Sequence, residues 1–168
     1  MKRITEYLYD EHQRLHALLE AADTEPVDLD AYASFRAILL RHIGIEEKIL
    51  FPAVKRALGR PLEAAPILRI EHAALTSLMV STPDRALIAE VRGLLHRHDE
   101  REEREGGIYA ECDVVLGDES FALHEGARTQ REVPVSKYYD GPEAYRTAAA
   151  ALAAAERIAA ARRQRKPG

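Results

Sequence analysis

The sequence predicts an all-α fold, an up-and-down four-helix bundle with an additional C-terminal helix. Three observations carry this expectation. Apolar residues recur at helical spacing through four successive segments, no alternating run competes with them, and the connections between the four are short, which favours antiparallel neighbours. The chain has 168 residues, 46% of them hydrophobic, enough for one ordinary domain with a core and too few for two. The expected division is a bundle over residues 1–116, then residues 117–168 as an irregular connection and an alanine-rich helix packing on the bundle or on a partner.

The first helix is expected from Arg3 to Ala22, with Ile4, Leu8, Leu15, Leu18 and Leu19 on one side. After a turn rich in Asp and Pro, Asp28 or Asp30 caps a second helix that runs to Leu58, kinks near Pro52 and stops at Gly59 and Pro61. The third starts between Pro61 and Pro66 and ends at Val80. Thr82, Pro83 and Asp84 read as a hydroxyl cap, a first-turn proline and a first-turn acid. The fourth helix then runs through Leu87, Val91 and Leu95 at least to Glu105, before Gly106 and Gly107. From Ala110 to Tyr139 the period is lost, and the segment reads as ordered loop with little chemistry. Asp140, Gly141, Pro142 and Glu143 read as a capping box opening an alanine-rich helix to about Arg163.

Composition excludes several classes. Lys plus Arg number 24 against 28 Asp plus Glu, a formal charge of -4, so no broad basic face exists to hold nucleic acid. The basic end (Arg162, Arg163, Arg165, Lys166) reads as a solvated tail before it reads as a contact to nucleic acid or anionic lipid. No apolar window is long enough to span a membrane, and Met1, Lys2 and Arg3 lead into Glu6, Asp10 and Glu11 without an apolar signal core. A lone Cys112 forms no internal disulfide, which points to a reducing, cytoplasmic compartment.

The seven histidines are the unusual count, and most fall in a repeat. Glu11, His12, Leu15, Leu18 and Leu19 in the first helix are matched in the third by Glu71, His72, Leu75, Leu78 and Met79. Leu39, Arg41, His42, Glu46 and Glu47 in the second are matched in the fourth by Leu95, Arg97, His98, Glu102 and Glu103. His12 lies on the stripe Ile4, Leu8, Leu15, Leu19; His42 and Glu46 continue Phe35, Ile38 and Leu39; His72 sits between Leu68 and Leu75; His98 and Glu102 extend Leu87, Val91 and Leu94. All six point inward. His96 and Glu100 share the His-x-x-x-Glu spacing, but their line passes Ala89, Arg92 and Gly93 on a weakly apolar face, so His96 is rejected as a ligand.

Four imidazoles and two carboxylates buried together would cost several kcal/mol per unpaired ion, against a total stability of about 5–15 kcal/mol. His–Glu ion pairs between helices would offset part of this, whereas a bound cation satisfies all six at once. The candidate metal ligands are therefore His12, His42, Glu46, His72, His98 and Glu102. Six nitrogen and oxygen donors exceed a four-coordinate zinc site, so two ions are implied. With Glu46 and Glu102 bridging, the six fill about eight of roughly twelve octahedral positions, leaving a solvent-derived bridge and an open position for a small ligand. Two oxo- or hydroxo-bridged irons fit best, ahead of manganese or zinc.

The order of an isolated His, His-x-x-x-Glu, another isolated His and another His-x-x-x-Glu resembles the hemerythrin-like, or HHE cation-binding, domain family. The stretch from His42 through Glu46 to Leu50, Phe51 and Pro52 is similar to that family's first box, and the resemblance covers Ile4 to Tyr109. It implies a four-helix bundle around a non-haem di-iron centre that binds oxygen, nitric oxide or reactive oxygen species, or stores or senses iron, with the same six residues as ligands. Two departures stand out. Oxygen-carrying hemerythrins place a further His four residues after the third-helix His, where this chain has Thr76. That favours oxidation or peroxide chemistry over reversible oxygen carriage. The second box runs from Glu103 through Gly106 and Gly107 without a proline.

Other candidates are weaker. His16 reads as a half-solvated flank or an extra ligand; Glu47 and Glu103 orient imidazoles or form surface salt bridges. His124 is given no role, and Cys112 is read as packing. The expected function is a non-haem di-iron protein that binds a diatomic ligand or senses redox state or iron, with a di-iron oxidase or peroxidase-like detoxifier as the alternative. A structural module stapled by its metal is a further reading. Its partners are a small diatomic or peroxide ligand and, through the last helix, a second copy or a signalling protein. No His has Glu three residues before it, and His-Glu-x-x-His is absent, which disfavours ferritin-like oxidases and zinc hydrolases.

Overall fold

Residues 1–165 are described by a computed structural model, and within them every regular element is helical. The elements are α1 (Ile4–Ala22), α2 (Leu29–Ile45), a π-helical turn (Glu46–Leu50), α3 (Phe51–Leu58), α4 (Ala65–Leu78), α5 (Arg85–Glu103), α6 (Ile108–Leu116), α7 (Glu119–Arg128) and α8 (Ala148–Gln164). Lys166 of the basic end lies outside the described residues. Among those residues no helix is long and apolar enough to cross a membrane.

The apolar stripes pack as two clusters. One gathers Leu15, Leu19, Phe35, Leu39, Leu75, Leu78, Val91 and Leu95, all but solvent-free. The other gathers Ile4, Leu8, Ile45, Leu50, Leu68, Ile108 and Cys112. Each such side chain contributes about 1.5–3 kcal/mol on burial. Along α1, His12 falls between Leu8 of one cluster and Leu15 of the other; along α4, His72 falls between Leu68 and Leu75. The polar residues thus occupy a layer between two dry cores.

The second helix is broken more deeply than a kink. Pro52 has no N–H for the preceding turn, and its ring crowds the carbonyl four residues back. The chain relieves this with a widened turn in which the Phe51 N–H donates to the Glu46 carbonyl, five residues back. Asp28 caps α2, accepting from the Asp30 and Ala31 N–H groups at 3.0 Å each.

Four expectations are corrected. Asp84, not Thr82, caps α5, accepting from the Leu87 N–H at 2.8 Å, so Pro83 lies outside the helix. The helix ends at Glu103 instead of Glu105, and Gly106 then takes a left-handed φ of 67° that suits glycine. Residues 110–139 are not a loop throughout, since they carry most of α6 and all of α7; both are too short to show a helical period. Asp140 does not open the last helix. Its carboxylate accepts from Thr82 N–H (2.9 Å) and Oγ1 (2.6 Å), and α8 starts eight residues later behind Thr147. The two misassigned caps thus bond to each other across two loops. α8 lies along α4, with Ala148 and Ala151 entering the first cluster. The small side chains allow that close approach.

Candidate metal centre

The structure brings together all six residues expected at the site. His12 comes from α1, His42 from α2, Glu46 from the π-turn, His72 from α4, and His98 and Glu102 from α5; none is more than 3% exposed. The ligating atoms of His12, His42, Glu46 and Glu102 lie within 4.8 Å of one another, and so do those of Glu46, His72, His98 and Glu102. Each group could hold a metal ion, and the two share both carboxylates.

The carboxylates are oriented for sharing. Glu46 sets Oε1 3.6 Å from His42 Nε2 and Oε2 3.1 Å from His72 Nε2. Glu102 sets Oε2 3.5 Å from His12 Nε2 and Oε1 3.4 Å from His98 Nε2. One oxygen of each acid therefore faces each histidine pair.

The outward ring nitrogens fix the tautomers. The Nδ1–H of His12 donates to Glu103 (2.5 Å), that of His42 to Glu11 (3.2 Å), that of His72 to Glu47 (2.8 Å) and that of His98 to Glu71 (2.8 Å). An ionised carboxylate only accepts, so each Nδ1 carries a hydrogen, and each Nε2, once it holds no proton, presents a lone pair inward. The outer acids are braced in turn, Glu11 by Arg41, Glu71 by Arg101 (3.2 Å) and Glu47 by Arg69 (3.4 Å).

What remains is a concentration of unpartnered polar atoms. Glu46 Oε2, His72 Nε2, His98 Nε2 and both Glu102 oxygens are buried without a hydrogen bond. The Nε2 atoms of His12 and His42 face each other at 2.9 Å, close to the ~3.0 Å that separates adjacent ligands about 2.1 Å from one octahedral ion. Facing lone pairs repel unless a proton or cation lies between them. The donor set, nitrogen and oxygen without sulfur, suits first-row transition ions over softer ones.

The electrostatics describe a site short of positive charge. Burial works against ionising Glu46, yet the His42, His72 and His98 imidazoles hold its carboxyl well below the ordinary range. Burial and the negative charges of Glu46 and Asp99 push Glu102 well up. Burial opposes a charge on His72, but Glu46 and Glu47 outweigh it and raise the imidazole to about 9. For His98 burial dominates and lowers the pKa, despite Glu71. Like charges a few ångströms apart in a dry layer keep a proton unless a metal replaces it.

Glu103 thus contacts an imidazole, while Glu47 does both things expected of it, bonding His72 and pairing with Arg69. Four further residues escaped the sequence reading. Glu11 and Glu71 precede His12 and His72 in the repeat, and that regularity was the available signal. Tyr109 donates its phenol hydrogen to Glu46 Oε1 at 2.6 Å and stacks on the His12 ring at 5.7 Å. It follows the break at Gly106 and Gly107, where no periodicity marks it. Asp99, 4% exposed, lies 3.6 Å from His12 Nε2 and accepts from His16 Nε2 at 2.6 Å. His16 is a flank residue, its side chain 33% exposed. His96 and Thr76 are exposed, and the His124 ring lies tilted against Tyr7, 5.4 Å between centroids. Cys112 is buried in the second cluster, where burial pushes its thiol up.

Compared with family models, curated proteins and solved structures, the chain matches none.

Proposed function

We propose that this chain is a non-haem di-iron protein of the hemerythrin-like kind, an up-and-down arrangement of α1, α2–α3, α4 and α5 enclosing a site for a small ligand. The observation that carries the reading is the division of Glu46 and Glu102, each with one oxygen toward His12 and His42 and the other toward His72 and His98. Iron, when bound, would supply coordination of oxygen, nitric oxide or peroxide together with one-electron redox chemistry. The chain's own residues do the rest. Glu103, Glu11, Glu47 and Glu71 hold the imidazoles in one tautomer, and the two apolar clusters keep bulk water from the layer.

Binding or sensing is the function this geometry supports best. The alternative, turnover of peroxide, is favoured by one feature: the buried Tyr109 hydroxyl on Glu46 places a proton donor beside the centre. Metal content per chain after anaerobic purification, with absorption spectra before and after air, tests the main reading. About two irons and charge-transfer bands that grow on exposure support it. Negligible iron after reconstitution, or one zinc and no spectral response, overturns it. Peroxide consumption by iron-loaded protein, reduced in Tyr109→Phe, would select the alternative.

A further inference from the structure

The two halves of the repeat differ chemically at two positions beside the centre. Asp99 follows His98 where Ile43 follows His42, and His16 stands four residues after His12 where Thr76 stands four after His72. These two departures meet. His16 Nε2 donates to Asp99 Oδ2 at 2.6 Å, across from α1 to α5. The other oxygen, Oδ1, is buried without a hydrogen-bond partner and lies 3.6 Å from His12 Nε2. A carboxylate oxygen held dry, oriented by a partner on its twin, and placed beside an inward imidazole is arranged as a ligand is.

We infer that Asp99 is a seventh metal-ligating residue, serving the ion between His12 and His42 alone and held in place by His16. This rests on the di-metal reading above. The His12/His42 position would then receive two nitrogens and two carboxylate oxygens from His12, His42, Glu46 and Glu102, which lie within 4.8 Å of one another, and a third oxygen from Asp99, 3.6 Å from His12 Nε2. The His72/His98 position receives two nitrogens and two oxygens. The first ion is the more strongly held and the more nearly saturated. The second is left with the open coordination, so a small ligand binds there. Asp99 also lines a surface cleft of about 510 Å³ with His16, His96, Glu100 and Glu103.

Cobalt(II) titration of the metal-free protein tests this, because d–d band intensity falls as coordination number rises and chelator competition ranks the two equivalents. The unmodified protein is expected to bind two equivalents of unequal affinity, the tighter with the weaker bands. Asp99→Asn should weaken the tighter equivalent at least ten-fold and strengthen its bands, leaving the other equivalent unchanged. Asp99→Ala should do the same, with formate restoring affinity by entering the vacated space. His16→Ala, at a side chain 33% exposed, should weaken the same equivalent by a smaller factor. Two equivalents with unchanged affinities and bands in all three variants overturn the assignment of Asp99 while leaving the di-metal reading intact. Failure of the unmodified protein to take up cobalt or iron overturns both.

Discussion

Replacing Glu102 by Gln separates what the site costs the fold from what it gives. Glu102 is fully buried, both its oxygens lack partners, and Glu46 and Asp99 add negative charge beside it, so in the metal-free protein its carboxyl is held protonated well above the ordinary 4.5. Glutamine has the same shape and no charge. Metal-free Glu102→Gln should therefore be within about 1 kcal/mol of the unmodified protein, or more stable, since buried ionisable groups are often replaced without loss. The sign of the pH effect follows. An acid whose folded pKa is raised binds a proton in the native state that the unfolded state has released, so its contribution is complete below 4.5 and is lost as pH rises toward the folded value. The metal-free protein should lose stability from about pH 4.5 upward, and Glu102→Gln should lose less.

With metal the order reverses. Saturation at 100 times Kd stabilises the native state by about 2.7 kcal/mol per site. At roughly 2–4 °C per kcal/mol for a domain of this size, Tm rises by about 5–11 °C for one ion. Gln cannot bridge two cations as a carboxylate does, so most of that increment should vanish. Thermal melts followed by circular dichroism, with and without iron(II) under nitrogen, read both quantities. A variant with the full metal-dependent rise would show that Glu102 touches neither ion. A metal-free variant far less stable than the unmodified protein would show that its carboxyl makes native contacts absent from the structure.

Glu47→Gln and Glu71→Gln, which loosen His72 and His98 without touching the ions, should each lower metal affinity about 10–100-fold by chelator competition, with helical content unchanged. Metal uptake should release protons and tighten from pH 6 to about 9, because His72 must lose its proton and is raised to about 9. In the metal-free protein that same group contributes stability below 6.5 that disappears as pH rises through about 9. Affinity independent of pH over that range would refute the role of His72. Leu75→Ala, emptying a fully buried position in the first cluster, should cost about 2–5 kcal/mol in urea unfolding, and a value under 1 would mean that the cluster is loosely packed.

Much of the site was legible because its residues are bound to helical period. His12, His42, His72 and His98 sit on apolar stripes, so the face that finds the core also finds the centre. Glu46 and Glu102 follow one turn later. Legibility failed where a residue acts through tertiary contact alone. Nothing local distinguishes Asp99 from any polar residue on α5, and Tyr109 reaches Glu46 only because α6 folds back after Gly106. The caps failed for a related reason. Thr82 and Asp140 carry cap chemistry, but each satisfied the other's polar groups at long range, and Asp84 and Thr147 took the helix ends.

Whether metal makes the fold or the fold makes the site can be argued from the same layer. A metal-stapled module would lose its helices on chelation, because its ligands would have no other reason to stay together. Here each imidazole is already held at Nδ1 by a carboxylate, and three of those carboxylates are held by arginines, none of it through a metal ion. The layer is also clamped from both sides, with Leu15, Leu39 and Leu75 above and Leu8, Ile45 and Leu68 below, all nearly solvent-free. The donors are thus preorganised, and the cost of gathering them is met by apolar burial instead of by ligation. Chelator-treated protein should keep its far-ultraviolet helical signal and a cooperative melt, with Tm lowered by the increment that metal supplies. Complete loss of helicity on chelation would refute this and identify the centre as a structural staple.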